Sequence, residues 1–291
     1  MMKKIAWLQD FDIFSYQGGA EMNDAAHFRE GLKRGHDLYL INPQMPFSQP
    51  DALIISNCVS FDKKRLTDMI SSAPTIFFFH DYIFCKYRLF YPMIEYCGTC
   101  ESSKWWLELF LKAKLLIWLS PLHRDATLTA LPELKDSKYA LIPSAINPAP
   151  FLEAKEVTRQ EAYLSVNSLF PFKGRDNLIT YAELHPEILF HIVSQEPEPD
   201  LPGNMLILPP QTYDGMPKVY RMYKNYIELP STPQPFNRTI VEAKLSGCKV
   251  ITNQLMGATS WPWFKENPEN IATELRVASG LFWTVVEDAL K

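Results

Sequence analysis

PSTPQPFNRTIVEAKLSGCKVITN, from Pro230 to Asn253, reads as a loop, a helix opening at Arg238, a Gly-Cys turn and an apolar strand. Asn237 stands just before the helix, where a side-chain oxygen caps exposed backbone N–H groups. One carboxylate, Glu242, lies inside that helix, and an amide, Gln234, lies eight residues before it in the loop. A loop of this kind, emptying onto a helix N-terminus, is a place for a ligand.

The same rhythm runs through the chain. IAWL (5–8) leads through Gly18-Gly19 to a helical stretch from about Ala20 to Arg34. DLYLIN, ALIISN, TIFFFHD, LLIWLS and YALIPS follow as short apolar runs with helical or irregular segments between several of them. Runs of this length, flanked by turn residues, suit buried parallel strands, and their alternation with helices predicts an α/β fold. After Pro148-Ala149-Pro150 the pattern restarts with AYLSVNS, ILFHIVS, MLILPP, YIELPS and KVITN, with helices near 176–184, 216–225 and 238–246. The restart predicts two similar halves joined near residues 147–160. A last helix over about 269–290 carries apolar residues at Ile271, Leu275, Val277, Ala278, Leu281, Phe282, Val285 and Ala289, a spacing that suits one packed face.

Composition narrows the class. In 291 residues, 47% are apolar and 21% charged, which fits one large or two ordinary globular domains. A formal net charge of −4 gives no global attraction to nucleic acid or anionic lipid. Five cysteines, an odd number, do not read as a disulfide framework. The N-terminal apolar run is too short for a signal peptide, and the apolar region Trp105–Leu119 is interrupted by Glu108, Lys112 and Lys114, so no transmembrane segment is expected. A reduced, cytoplasmic protein is the expectation.

Two helix starts are candidate anion sites: the turn Gly18-Gly19 in the first half, and Asn237-Arg238 in the second. In open α/β sheets, ligands bind where such helix N-termini meet the carboxyl ends of strands.

QGGAE (17–21), HDY (80–82), LSPLHRDATL (119–128), IPSAINPAPF (142–151), SLFPFKGRDNLI (168–179) and PQPFNRTIVEA (233–243) follow the order of segments in the family 4 glycosyltransferases. The chain resembles that family loosely along its whole length. The resemblance implies the GT-B fold: two Rossmann-like domains facing a cleft, residues 1–150 on the acceptor side and 151–268 binding the nucleotide sugar, with helix 269–290 packing back on the first. It implies a retaining, metal-independent glycosyltransferase, hexosyl or pentosyl, that needs no cofactor and takes a nucleotide-diphosphate sugar as donor. Lys173 matches the lysine that contacts the donor diphosphate, where an ammonium neutralises phosphate oxygens and leaving-group charge. Glu242 matches the glutamate that accepts the ribose hydroxyls; its plainer reading is an i,i+4 ion pair with Arg238. Gly18 and Gly19 match a donor-binding turn whose backbone approaches the phosphates or the acceptor, for which a missing Cβ is useful, although a simple helix-entry turn uses glycine too. His80 matches a histidine near the donor sugar; a satisfied core histidine is the plainer reading. Thr239 and Ile240 would offer amides to the distal phosphate, with Arg238 adding charge.

The departures are specific. Gln234 stands where the family has a glutamate that touches donor-sugar hydroxyls, so hydrogen bonding survives but negative charge does not. Ser168 replaces an arginine that gives a second phosphate contact, and Asn167 and Asn237 replace glycines. These changes keep open a non-catalytic nucleotide-sugar-binding protein. The acceptor is open as well: a glycan, a lipid-linked group, or a modified DNA base, the last supported only by the compact length.

Two local patterns lie outside the resemblance. Cys85, Cys97 and Cys100, with His123 as a fourth ligand, would suit zinc, although reduced thiols are the plainer reading. Lys104 to Lys114, with Trp105, Trp106, Leu107, Phe110 and Leu111, has the makings of a membrane-surface helix, against the plainer reading of a helix packed on the sheet.

Overall fold

The computed structural model describes residues 3–16, 18–88, 98–153, 157–166, 169–194 and 200–291. Gln17, Cys97, Asn167 and Ser168, singled out in the sequence, lie outside the described residues. The chain divides into two units, one of Met1–Ala145 with Val277–Lys291 and the other of Ile146–Arg276.

The first unit contains β1 (Lys4–Leu8), α1 (Gly19–Lys33), β2 (Asp37–Ile41), β3 (Ala52–Ile55), α2 (Lys63–Ser72), β4 (Thr75–Phe78), α3 (Glu101–Phe110), β5 (Leu115–Trp118), α4 (Pro121–Ala130) and β6 (Tyr139–Leu141). Its strands form one parallel sheet in the order β2-β1-β3-β4-β5-β6. The runs ALII, TIFF and LLIW are buried at every residue, as strands covered on both faces must be. Asp62 caps α2 by accepting from the Arg65 N–H, and Ser120 caps α4 by accepting from the His123 N–H. In α3, Trp106, Leu109 and Phe110 join the hydrophobic core, so its apolar face is spent on the sheet rather than offered to a membrane. No helix among the described residues is long and apolar enough to cross a membrane.

The second unit contains α5 (Ala149–Leu152), β7 (Gln160–Val166), α6 (Arg175–Leu184), β8 (Phe190–Val193), β9 (Met205–Leu208), α7 (Met216–Arg221), β10 (Tyr223–Glu228), α8 (Arg238–Leu245) and β11 (Lys249–Thr252). Its parallel sheet has the order β11-β10-β7-β8-β9, and Leu178, Ala182, Phe190, Ile192 and Ile227 form its core. The helix expected over 216–225 ends at Arg221 instead. Tyr223, Asn225 and Tyr226 pair with β7, and sheet pairing overrides local helical pattern there.

The last helix, α9 (Pro268–Ala289), belongs to the second unit up to Arg276 and to the first from Val277 onward. Within the first unit, Trp283 Nε1 donates to the His27 carbonyl at 2.6 Å, and the Phe282 ring stacks on the His27 ring at 4.4 Å. Val277 and Leu281, expected on the packed face, are exposed. The buried stripe is Ile271, Leu275, Ala278, Phe282 and Val286, steps of three and four, and Val277 and Leu281 fall on a neighbouring stripe.

Candidate functional site

In the second unit, β10 ends at Glu228 and the chain returns through residues 229–237 to the head of α8. Asn237 is the N-cap, with φ at 72°, and its Oδ1 accepts from the Ile240 N–H at 3.2 Å. The left-handed backbone explains why glycine is natural here and why asparagine is a workable replacement. Ile240 therefore does not offer a free amide to a phosphate; Asn237 has taken it. Thr239 Oγ1 donates to Asn237 Oδ1 at 2.7 Å.

Lys173 reaches the loop because Gly174 turns the chain at φ 91°, where an added Cβ would meet the Leu229 carbonyl oxygen at 1.8 Å. The Lys173 ammonium donates to Gln234 Oε1 at 2.7 Å. The rest of the Gln234 amide is used too: Nε2 donates to the Thr232 carbonyl at 3.1 Å, and the residue is 4% exposed. Lys173 and Gln234 are thus brought into contact, and Gln234 is a fully engaged buried amide.

Glu242 is 2% exposed. Its Oε1 stands 3.7 Å from Arg238 Nε, beyond hydrogen-bond length, and has no hydrogen-bond partner, while Oε2 accepts from the Tyr220 hydroxyl at 3.4 Å. Burial pushes the Glu242 carboxyl up, and the Arg238 charge opposes the shift. The i,i+4 ion pair therefore exists, but it leaves one carboxylate oxygen unsatisfied. Such an oxygen is costly unless something donates to it.

Sequence reasoning missed Glu228, which is 2% exposed and lies beneath this loop. Asn237 Nδ2 donates to its Oε1 at 2.6 Å, and the Tyr226 hydroxyl donates to Oε2 at 2.8 Å. The signal was available: a lone carboxylate between Ile227 and Leu229 in YIELPS is out of place in a buried strand.

In the first unit, Gly18 precedes α1 and Gly19 is its first residue. A Cβ on Gly18 would meet Glu21 Oε2 at 2.1 Å and Tyr16 Cε1 at 2.8 Å. The space that glycine keeps open is filled by the chain's own carboxylate and ring, not left for a ligand. Burial pushes the Glu21 carboxyl up. His80 Nε2 lies 2.7 Å from Asp24 Oδ1, a pair with side chains 5% and 2% exposed. His80 is therefore held by α1 from the end of β4. Nearby, Arg88 pairs with Asp81 and donates to Asn57 Oδ1 at 2.9 Å.

His123 is fully buried, with Nδ1 accepting from the Leu119 N–H at 3.4 Å and Nε2 3.3 Å from the Asp81 carbonyl. Both ring nitrogens face backbone groups, so His123 is no zinc ligand. Among the described residues, no group of three or more His, Cys, Asp or Glu side chains is arranged to hold a metal.

No protein-family model matches the sequence, and no curated protein sequence does. Solved structures match in shape along nearly the whole chain. Sucrose-phosphate synthase from Thermosynechococcus elongatus aligns at 12% identity over 98% of this chain and 96% of its own, with a TM-score of 0.67. The catalytic domain of starch synthase IV from Arabidopsis thaliana, bound to ADP and acarbose, aligns at 11% identity over 100% and 99%, with a TM-score of 0.62. HepE from Anabaena, in complex with UDP-glucose, aligns at 17% identity over 99% and 98%, with a TM-score of 0.58. The fold is GT-B. Within this GT-B chain, Lys173, Gln234, Asn237, Arg238 and Glu242 gather at the carboxyl end of β10 and the head of α8, the edge where open α/β sheets take ligands.

Proposed function

We propose that this GT-B chain is a retaining, metal-independent glycosyltransferase of the family 4 type, moving a sugar from a nucleotide-diphosphate donor to an acceptor hydroxyl. The observation that carries the reading is Glu242, a buried carboxylate one helical turn from the head of α8 whose Oε1 makes no hydrogen bond of normal length, with the Arg238 charge and the Tyr213 hydroxyl beside the group. A ribose hydroxyl would satisfy it. Lys173 and the α8 N-terminus would then hold the diphosphate, and Gln234 would mark the sugar end. The first unit would serve the acceptor. Two similar structures are described as bound to ADP and to UDP-glucose, which supports a nucleotide of this size as ligand.

Calorimetry with UDP and ADP tests the reading. Lys173→Ala is expected to weaken binding by about 1.5–3 kcal/mol, the range for a charge-assisted hydrogen bond. Unchanged affinity would remove Lys173 from the site, and no binding of either nucleotide would overturn the reading.

A second reading, a nucleotide-sugar-binding protein without transfer, is favoured by the Lys173–Gln234 bond, which supplies no carboxylate at the sugar end. Release of sugar from UDP-glucose and ADP-glucose separates the two.

A further inference from the structure

We infer that Asp24 is a positioning residue for His80: it holds the ring hydrogen on Nε2 and leaves Nδ1 as an acceptor for a ligand hydroxyl. That the hydroxyl belongs to a sugar rests on the transferase reading. The arrangement of the ring rests on the geometry of the first unit alone.

His80 follows β4 at its carboxyl end. The sheet register sets it beside the ends of β1 and β3, because Leu8 pairs with Ile55 and Ile55 with Phe77. Gln9 and Asn57, both buried, leave the sheet along the same edge. Open parallel sheets take their ligands at that edge.

Asp24 comes from α1, is 2% exposed, and places Oδ1 2.7 Å from His80 Nε2. Its neighbour Asn23 fixes the helix at this depth, accepting through Oδ1 from the Ala145 N–H at 2.6 Å. Among the described residues, His80 is the one hydrogen-bond partner of the Asp24 side chain. A buried carboxylate with a single partner is costly to the fold, so the pair asks for a reason beyond packing.

A carboxylate only accepts, so the ring nitrogen that meets it carries hydrogen. The bond made by one imidazole nitrogen decides the role of the other, and in the neutral ring Nδ1 is then a bare acceptor. The Phe78 ring, 4.5 Å away at 62°, packs against the imidazole and restricts its rotation. Among the described residues, Nδ1 makes no hydrogen bond. Gln9 Oε1, on the same edge, is buried and also lacks a partner. Two unmet acceptors call for donors, which a sugar hydroxyl supplies and an ionised phosphate does not. The other titratable and charged groups around the pair are Glu21 on α1, Asp81 and Arg88 after β4, and His123 on α4. Arg88 is engaged by Asp81 and Asn57, so a neutral hydroxyl suits this edge better than an anion.

Nitrogen-15 NMR of the histidine side chains in ligand-free protein tests the assignment, with His80→Gln identifying the His80 signals. In the unaltered chain, the neutral ring is expected to show Nε2 as N–H and Nδ1 as unprotonated nitrogen. The Nε2 proton should lie far downfield because it faces a carboxylate. In Asp24→Asn the amide can donate where the carboxylate accepted, and the hydrogen should move to Nδ1. Nitrogen signals unchanged by Asp24→Asn would make Asp24 a structural residue and overturn the proposal. Should that variant fail to fold, the unaltered chain decides: a neutral ring with hydrogen on Nδ1, or no downfield Nε2 proton, would overturn it. Glucose, UDP-glucose and UDP are then added in turn to the unaltered chain. A shift of Nδ1 with either sugar and none with UDP is expected; glucose would mark an acceptor hydroxyl, UDP-glucose alone a donor one. No shift with either sugar would remove Nδ1 from the ligand. A chain that binds neither UDP nor ADP would sink the transferase reading, and the ligand-free spectra would still decide whether Asp24 sets the ring.

Discussion

Gln234 is held by both ends of its amide, and this makes its replacement informative. Glutamate there would keep an acceptor for Lys173 but would turn a carboxylate oxygen toward the Thr232 carbonyl, where Nε2 now donates at 3.1 Å. The cost is expected at about 1–3 kcal/mol, the range for a buried group left unsatisfied, readable in urea denaturation. If transfer occurs, kcat should change more than donor affinity, because the new charge acts mainly on the positive centre of the transition state. Equal kcat and affinity would make Gln234 a loop residue only. His123 supports a second prediction at this scale. Burial pushes its imidazole down to about 3, from the ordinary histidine value of 6.5. The unfolded chain then takes up a proton below 6.5 that the folded chain refuses until about 3, so this group's contribution to stability is intact above 6.5 and falls through that window. The loss should approach about 1.4 kcal/mol per pH unit. The raised carboxyls of Glu21 and Glu242 work the opposite way, since the folded chain holds their protons more tightly. His123→Gln should therefore flatten the acid side of the stability curve relative to the unaltered chain, and parallel curves would show that His123 is not held neutral.

At the scale of elements, α1 and α9 meet where Gly31 faces Trp283. A Cβ on Gly31 would stand 2.1 Å from Trp283 Cζ2 and 2.7 Å from Leu38 Cδ1. Gly31→Ala gains helix propensity but overfills a packed contact, and the second effect should win by about 1–3 kcal/mol. Chemical denaturation would decide it; a gain in stability would mean that the ring can shift. Elements of this kind were partly legible beforehand. Fully apolar strands such as TIFF and LLIW announce themselves because both faces are buried. Asn237 was legible as a cap because its chemistry is local. The limits of α7 were not, because sheet pairing at Tyr223 is decided by β7, more than fifty residues earlier in the chain. Glu228 and Asp24 were missed for the same reason, since a buried carboxylate is explained only by partners from other elements. The Gly18 turn could be seen but not interpreted, because Glu21 and Tyr16 fill the space beside it only in three dimensions.

On the scale of the whole molecule, each unit has its own parallel sheet and its own buried core, with α9 contributing to the core of the first through Phe282 and Trp283. A chain built this way need not unfold in a single step. Scanning calorimetry is expected to resolve two transitions, one for each unit. Gly31→Ala should lower the transition of the first unit and leave the other in place, because Gly31, Leu38 and Trp283 all belong to the first. UDP or ADP, whichever binds, should move the other transition alone, since Lys173, Arg238 and Glu242 lie within Ile146–Arg276. At a hundredfold excess over its Kd, the nucleotide should add about 2.7 kcal/mol to that unit by mass action. Lys173→Ala should shrink the shift at fixed nucleotide concentration without abolishing the transition itself. The alternative outcome is equally clear: a nucleotide that raises the transition sensitive to Gly31→Ala, and not the other, would place the donor site in the first unit and overturn the assignment of Lys173 and Glu242.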